Sequence, residues 1–423
     1  MRWLTPASDI APLAGLERLN GPERPPIAVA LSGGGDSLAL LHLAKVWSDR
    51  AGRTLVALTV DHGLQPASAA WSRFCAERAV RLGVTHRTLT WIGDKPTSGL
   101  PAASRAARHA LLAEAARAAG ARVILMAHTA DDLMEAELMR AAGASAPSPR
   151  LWSPSPAWPA GRGVFLLRPL LQRRRSELRA VLEALGETWI EDPANDDPRY
   201  ARTLARRRLN ECAIGLARAG EPPAPPSALP HVRQGLGGEF TIPRDVLSAA
   251  APAEQRRLIG VLALCAAGTT RPPSAAALGR FVAKLSEPTF TTTLAGARFE
   301  ADATQLLVCR EAGEAARGGL QPLDLPLGES VFDGRFLLTA RRPVSSVVPL
   351  AGRAARLSRA ERVLLKGFHP AVRPGLPAIV SLSSEVTCPL LAVDDAIGAK
   401  PLGLARLRGA LGAIADEASA ACG

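Results

Sequence analysis

The chain has 423 residues, about two to four domains at the usual size, so a single small module is excluded. With 47% apolar and 21% charged residues it is neither disordered nor collagen-like. Its 51 Lys and Arg, nearly all Arg, outweigh 39 Asp and Glu by +12. That excess predicts an anionic partner, because the guanidinium fork suits phosphate oxygens and basic surfaces release counterions from nucleic acid.

In chain order, the opening MRWLTPASDIAPL has no basic region leading into an apolar core, and no apolar run approaches the ~18–20 residues of a membrane span, which predicts a cytoplasmic protein. From residue 27 to about 212, β-rich runs alternate with helical stretches, the signature of an α/β fold with a doubly wound parallel sheet. Ile27 to Leu31 reads as a buried strand, followed by SGGGDS and a helix from Leu38. Strands are predicted at Leu55 to Val60, Thr85 to Trp91, Val123 to Ala127 and Phe165 to Leu167, with helices over 68–82, 101–119, 130–142 and 174–185. Residues 142–163, rich in Pro, Ser and Gly, have no period and read as a long loop in which Trp152 and Trp158 either stack on a base or anchor the chain.

EPPAPPSALP at 221–230 marks a linker, so the catalytic candidate spans 1–215. A mainly helical middle domain (216–320) is expected next, helical over 244–286 and with a hairpin-like alternation over 291–311. A second linker near 316–329 leads into a small α+β C-terminal domain, 321–423. The six cysteines are scattered, without a CxxC pair or a Cys/His cluster, and read as reduced and structural.

Two constellations carry chemistry. SGGGDS follows a buried strand and opens a helix, where backbone N–H groups and the helix N-terminus attract phosphate. Gly33, Gly34 and Gly35 permit a tight turn with no Cβ facing the ligand, Ser32 and Ser37 supply hydroxyls, and Asp36 is a candidate ligand for magnesium on pyrophosphate. The loop has neither the lysine of GxxxxGK[ST] nor a GxGxxG frame. In AHTADDLMEAE, residues 127–137, His128, Asp131 or Asp132, and Glu135 have spacings that predict one shared helix face at the carboxyl edge of the sheet. Arg105 and Arg108 stand one turn apart on the third helix, and residues 191–208 join an acidic turn to five arginines including Arg202 and Arg206.

SGGGDS resembles the SGGxDS loop of the N-type (PP-loop) ATP pyrophosphatases. VDHGLQPAS (60–68), SRAARH (104–109), HTADDLMEAE (128–137), RPLL (168–171) and EDPANDDPRYAR (191–202) are similar, in order and spacing, to the tRNA(Ile)-lysidine synthetase family. TLAGARFEADATQLLVCRE and FHPAVRPGLPAIV resemble stretches of that family's later domains. The chain departs from the family's pattern at His109, Ala136 and Thr203, where Tyr, Thr and Asn are usual.

The resemblance implies an enzyme that uses ATP and Mg2+ to adenylate the carbonyl oxygen at carbon 2 of the first anticodon cytidine of a CAU-bearing tRNA(Ile), then joins free L-lysine to that carbon with release of AMP. It implies Asp36 for the metal and Ser32, Gly33, Gly34, Gly35 and Ser37 for pyrophosphate. Val60, Asp61 and His62 would border adenosine, and Arg105, Arg108 and His128 would stabilise phosphate and adenylate. Asp132 and Glu135 would bind lysine, with Arg202 or Arg206 lining the lysine or cytidine pocket. The same resemblance implies tRNA binding by the two later domains and leaves a homodimer open. Two alternatives remain: a PP-loop tRNA thiolation enzyme, which calls for paired cysteines, and a non-catalytic RNA-binding protein, which predicts loss of the loop's Asp or glycines. Those loop residues are intact.

Overall fold

The computed structural model describes residues 13–144, 148–192, 204–205, 209, 223–342, 344–381, 385–391 and 397–421. Arg202 and Arg206 lie outside the described residues. The chain divides into two compact units, Met1–Pro223 with Ile414–Gly423, and Ala224–Ala413.

The first unit is built on a six-stranded sheet in the order β3-β2-β1-β4-β6-β5. Its strands are β1 Ile27–Ala30, β2 Leu55–Asp61, β3 Thr85–Thr90, β4 Val123–Leu125, β5 Trp152–Pro154 and β6 Phe165–Leu167. Helices α1 Gly35–Ala51, α2 Ser68–Arg81, α3 Leu100–Ala118, α4 Ala130–Ala141 and α5 Arg175–Ala184 follow the strands that the periodicity predicts. Strands β1 to β4 and β6 pair in parallel. Because strand side chains alternate, each central strand feeds two cores. Ile27, Val29, Leu55, Ala57, Val123 and Leu125 join one with Leu38 and Leu41 of α1. Ala28, Val56, Leu58 and Ile124 join the other with Leu112, Ala113 and Ala116 of α3.

Two features differ from the sequence reading. Helix α1 begins at Gly35, not Leu38, so Asp36 and Ser37 stand in its first turn. Glycine's low helix propensity hides this start, but a first turn has no preceding carbonyls to pair with, so propensity counts for little there. Residues 142–163 are not one long loop: β5 pairs antiparallel with β6 at the sheet edge. Trp152 anchors it, buried and stacked on Phe165 at 4.9 Å between ring centroids, with its indole N–H donated to the Ile414 carbonyl at 2.8 Å.

The second unit packs helices Arg244–Ala249, Pro252–Ala267 and Ala275–Lys284 with a five-stranded antiparallel sheet. Where the alternation over 291–311 predicts one hairpin, strands Phe290–Leu294, Ala297–Ala301 and Gln305–Arg310 form a meander, joined by Phe240–Pro243 and Arg233–Gln234. The expected linker near 316–329 contains strand Leu323–Leu325 and the start of Gly328–Phe332. These belong to a four-stranded and a three-stranded sheet with their own buried residues, including Phe332, Phe336 and Leu338. Among the described residues, no helix is long and apolar enough to cross a membrane.

Candidate functional site

The strand order reverses between β1 and β4, and open α/β sheets bind ligands outside the carboxyl ends of strands at such a point. SGGGDS leaves β1 there, and AHTADD leaves β4 beside it. In the loop, Gly33 has φ +83°, and a Cβ would lie 2.4 Å from Ile190 Cδ1, so only glycine fits. The Ile190 N–H donates to the Gly33 carbonyl at 2.9 Å, fixing the segment after α5 against the loop. Gly34 caps α1 without a side-chain cap, leaving the helix N-terminus to a ligand. Ser37 is buried: it donates to the Gly34 carbonyl at 2.9 Å, accepts from the Ser32 N–H at 3.2 Å, and lies 3.1 Å from Ser32 Oγ. Its hydroxyl therefore holds the loop in shape.

Charge at this edge is partitioned. On one side Asp36 Oδ2 accepts from Arg175 Nε at 3.0 Å, and the same guanidinium reaches Glu135 Oε1 at 3.3 Å and Asp132 Oδ1 at 3.7 Å. Burial pushes the Asp36 carboxyl up, Arg175 pulls it back down, and Asp132 and Asp131 push it up again. For Arg175, burial opposes the charge, but Asp36, Asp132 and Glu135 outweigh it and hold the guanidinium charged. Asp36 Oδ1 is buried and has no hydrogen-bond partner among the described residues. A spare, dry carboxylate oxygen beside a glycine loop at a helix N-terminus fits magnesium, a hard cation that takes one or two carboxylates with phosphate oxygens.

The other side is cationic. Arg168 donates to His128 Nδ1 at 3.3 Å, to the Arg150 carbonyl at 2.7 Å and to Ser153 Oγ at 3.0 Å. Burial, then Arg105 and Arg108, push Arg168 down to about 10. His109 is pushed down to about 3 by burial, then by Arg108, Arg105, Arg168 and His128. His62 at the end of β2 is likewise lowered, by burial first and Arg108 second, and its Nδ1 lies 3.1 Å from Ser104 Oγ. Cations crowded so that each disfavours the next gain stability when an anion arrives. Asp61 accepts from the Gly63 N–H at 2.8 Å, closing the turn after β2, and Val60 packs beneath it against the α3-side core.

The structure brings Asp36, Asp132 and Glu135 together through Arg175, and Arg105, Arg108 and His128 around Arg168 and His109. It separates two residues that the spacing could not: Asp131 accepts from the Arg175 backbone N–H at 2.7 Å and from Arg174, so it pins the start of α5. Asp132 accepts from the Thr129 N–H at 2.7 Å, capping its own helix, and faces Arg175 with its other oxygen. His128 precedes α4 and does not share its face, because Thr129 is the extended N-cap. Arg175 escaped the sequence reading: it lies in the run RRRSE, which reads as a solvated face. The described cysteines Cys75, Cys265, Cys309 and Cys388 are buried and unpaired, and burial pushes the last three thiols up to about 12.

A parallel sheet with a glycine loop and acidic helix start at its switch point defines a PP-loop ATP-using enzyme, and a family profile described as a PP-loop domain matches residues 14–213. The chain is similar to a tRNA(Ile)-lysidine synthase of Caulobacter vibrioides, 47% identical over 380 residues and covering 89% of each chain. Relatives of the same name from Hyphomonas neptunium and Mesorhizobium japonicum are 36% and 32% identical. The first alignment covers 69% of this chain and 83% of the relative, the second 90% and 94%. The chain belongs to the tRNA(Ile)-lysidine synthase family.

Proposed function

We propose that this enzyme converts the first anticodon cytidine of a CAU-bearing tRNA(Ile) to lysidine in two steps at the β1–β4 switch point. The carbon-2 carbonyl oxygen of cytidine attacks the α phosphorus of ATP and pyrophosphate leaves. The ε-ammonium of free lysine then loses one proton, the resulting amine attacks carbon 2, AMP leaves, and the newly bonded nitrogen gives up a second proton. The partition of charge at the site carries this reading: one half suits phosphates, the other an amine and a metal.

The backbone N–H groups of the Gly34–Gly35 turn would hold pyrophosphate, with Ser32 beside them and Ser37 keeping the turn in shape. Arg108, with Arg105 behind it, and the Arg168-oriented His128 would stabilise charge building on the α phosphate, and fixed cations and donors of this kind supply most of the rate acceleration in phosphoryl and nucleotidyl transfers. Asp36 would hold magnesium, which when bound supplies neutralising charge to the departing pyrophosphate. Val60, Asp61 and His62 would border adenosine. Lysine arrives as an ammonium with a pKa of about 10.4 in water, so Asp132 and Glu135 would bind it as a cation. Arg202 and Arg206 are proposed for the lysine or cytidine pocket, and the regions 216–320 and 321–423 for tRNA.

Two substitutions separate the steps. Asp36→Asn is expected to lower both tRNA-dependent pyrophosphate release and lysine transfer by about 10²-fold or more. Glu135→Gln is expected to keep pyrophosphate release within several-fold while lysine transfer falls about 10²-fold. Equal loss of both steps in Glu135→Gln would remove it from the amine site.

A further inference from the structure

Arg175 lies where the reaction needs other cations. Its guanidinium contacts Asp36, Asp132 and Glu135 at 3.0, 3.7 and 3.3 Å, and the Asp132 and Glu135 side chains are 7% and 1% exposed. Asp132 and Glu135 are the carboxylates assigned above to lysine, and Asp36 is the one assigned to metal, through its other oxygen, Oδ1. An ammonium and a guanidinium competing for the same buried carboxylates cannot both be fully paired, so lysine must displace Arg175 or share its partners.

The backbone of Arg175 is held, because its N–H is donated to Asp131 Oδ2 at 2.7 Å at the first residue of α5. Its side chain is held by the ion pairs to Asp36, Asp132 and Glu135 rather than by the backbone, so once these weaken, rotamer changes carry the guanidinium several ångströms without moving the helix. Asp36, its nearest partner, stands in the first turn of α1 beside the phosphate loop. A triphosphate bound there brings several negative charges near Arg175, while metal on Asp36 Oδ1 would neutralise the carboxylate whose Oδ2 is its 3.0 Å partner.

We propose that Arg175 couples the two substrates: without nucleotide it occupies the carboxylates, and bound ATP draws it to the phosphates, so that lysine binds tightly only once ATP is present. The inference rests on the lysidine reading. It makes Arg175 a positioning residue that sets the order of binding and keeps the amine site closed until there is a nucleotide to react. Such coupling is reciprocal, and typical couplings are about 5–150-fold.

The test is calorimetric titration of L-lysine into the full chain, alone and with magnesium and the non-cleavable analogue α,β-methylene-ATP. The wild-type Kd for lysine is expected to tighten at least about tenfold with the analogue. In Arg175→Gln or Arg175→Met, each checked for folding by circular dichroism, nucleotide-free affinity should rise to near the wild-type value with analogue, leaving a ratio near one. A wild-type Kd indifferent to the analogue overturns the proposal, as do folded variants that keep the full ratio or bind lysine more weakly in both states. Wild-type protein that binds no lysine under either condition overturns the lysidine reading as well.

Discussion

His109 is a residue whose surroundings strongly change its acid–base chemistry. It is 4% exposed, its Nε2 has no hydrogen-bond partner among the described residues, and burial with the neighbouring arginines brings it to about 3 from an ordinary 6.5. A histidine lowered in this way stays neutral in the folded protein while the unfolded chain takes up a proton below pH 6.5. Its contribution to stability is therefore complete above 6.5 and is lost as pH falls towards 3. Between pH 7.5 and 5 the loss amounts to about 2 kcal/mol. The stability of His109→Leu relative to wild type, followed by urea unfolding, should rise by that amount over the same interval; a difference independent of pH would contradict the assignment. The glycine loop was legible at this scale because its glycines and Asp36 are contiguous. Arg175 was not, since its partners Asp36, Asp132 and Glu135 come from two other segments and nothing in RRRSE marks one arginine among three.

Among elements, the first unit depends on a segment remote in sequence. Residues Glu417–Ala421 form a short helix against it, with Ile414 and Ala420 in its core. Arg53 pairs with both carboxylate oxygens of Glu417 at 3.0 Å and donates to the carbonyls of Leu19 and Pro25, the two charged side chains each being 2% exposed. Removing one member of such a pair strands the other. Arg53→Met should destabilise the unit by about 3–5 kcal/mol, and adding Glu417→Met should recover most of that loss, read from thermal and urea unfolding. No recovery in the double variant would place the cost in packing. Strands and helices with clear periods, such as β1, β2 and α2, follow from the sequence within a residue or two. Strand β5 does not, because its three residues lie among prolines and are fixed by pairing with β6 and by Trp152, contacts that local pattern cannot express.

For the whole molecule, the proposed function divides the +12 charge between two tasks: a few arginines near the switch point for the nucleotide, and the larger remainder for tRNA, whose phosphates would make affinity depend on salt. The α/β catalytic region was legible because βα alternation and the glycine loop are regular signals. The second unit was less so: its three sheets are held by antiparallel pairings of short strands, many separated by prolines and glycines. The proposed function has one sheet edge activate a tRNA base with ATP and pass it to an amine. Purified protein incubated with magnesium, ATP, labelled L-lysine and CAU-anticodon tRNA(Ile) should form AMP and incorporate label into the tRNA in equal amounts. AMP formation without label, or neither product, would contradict it.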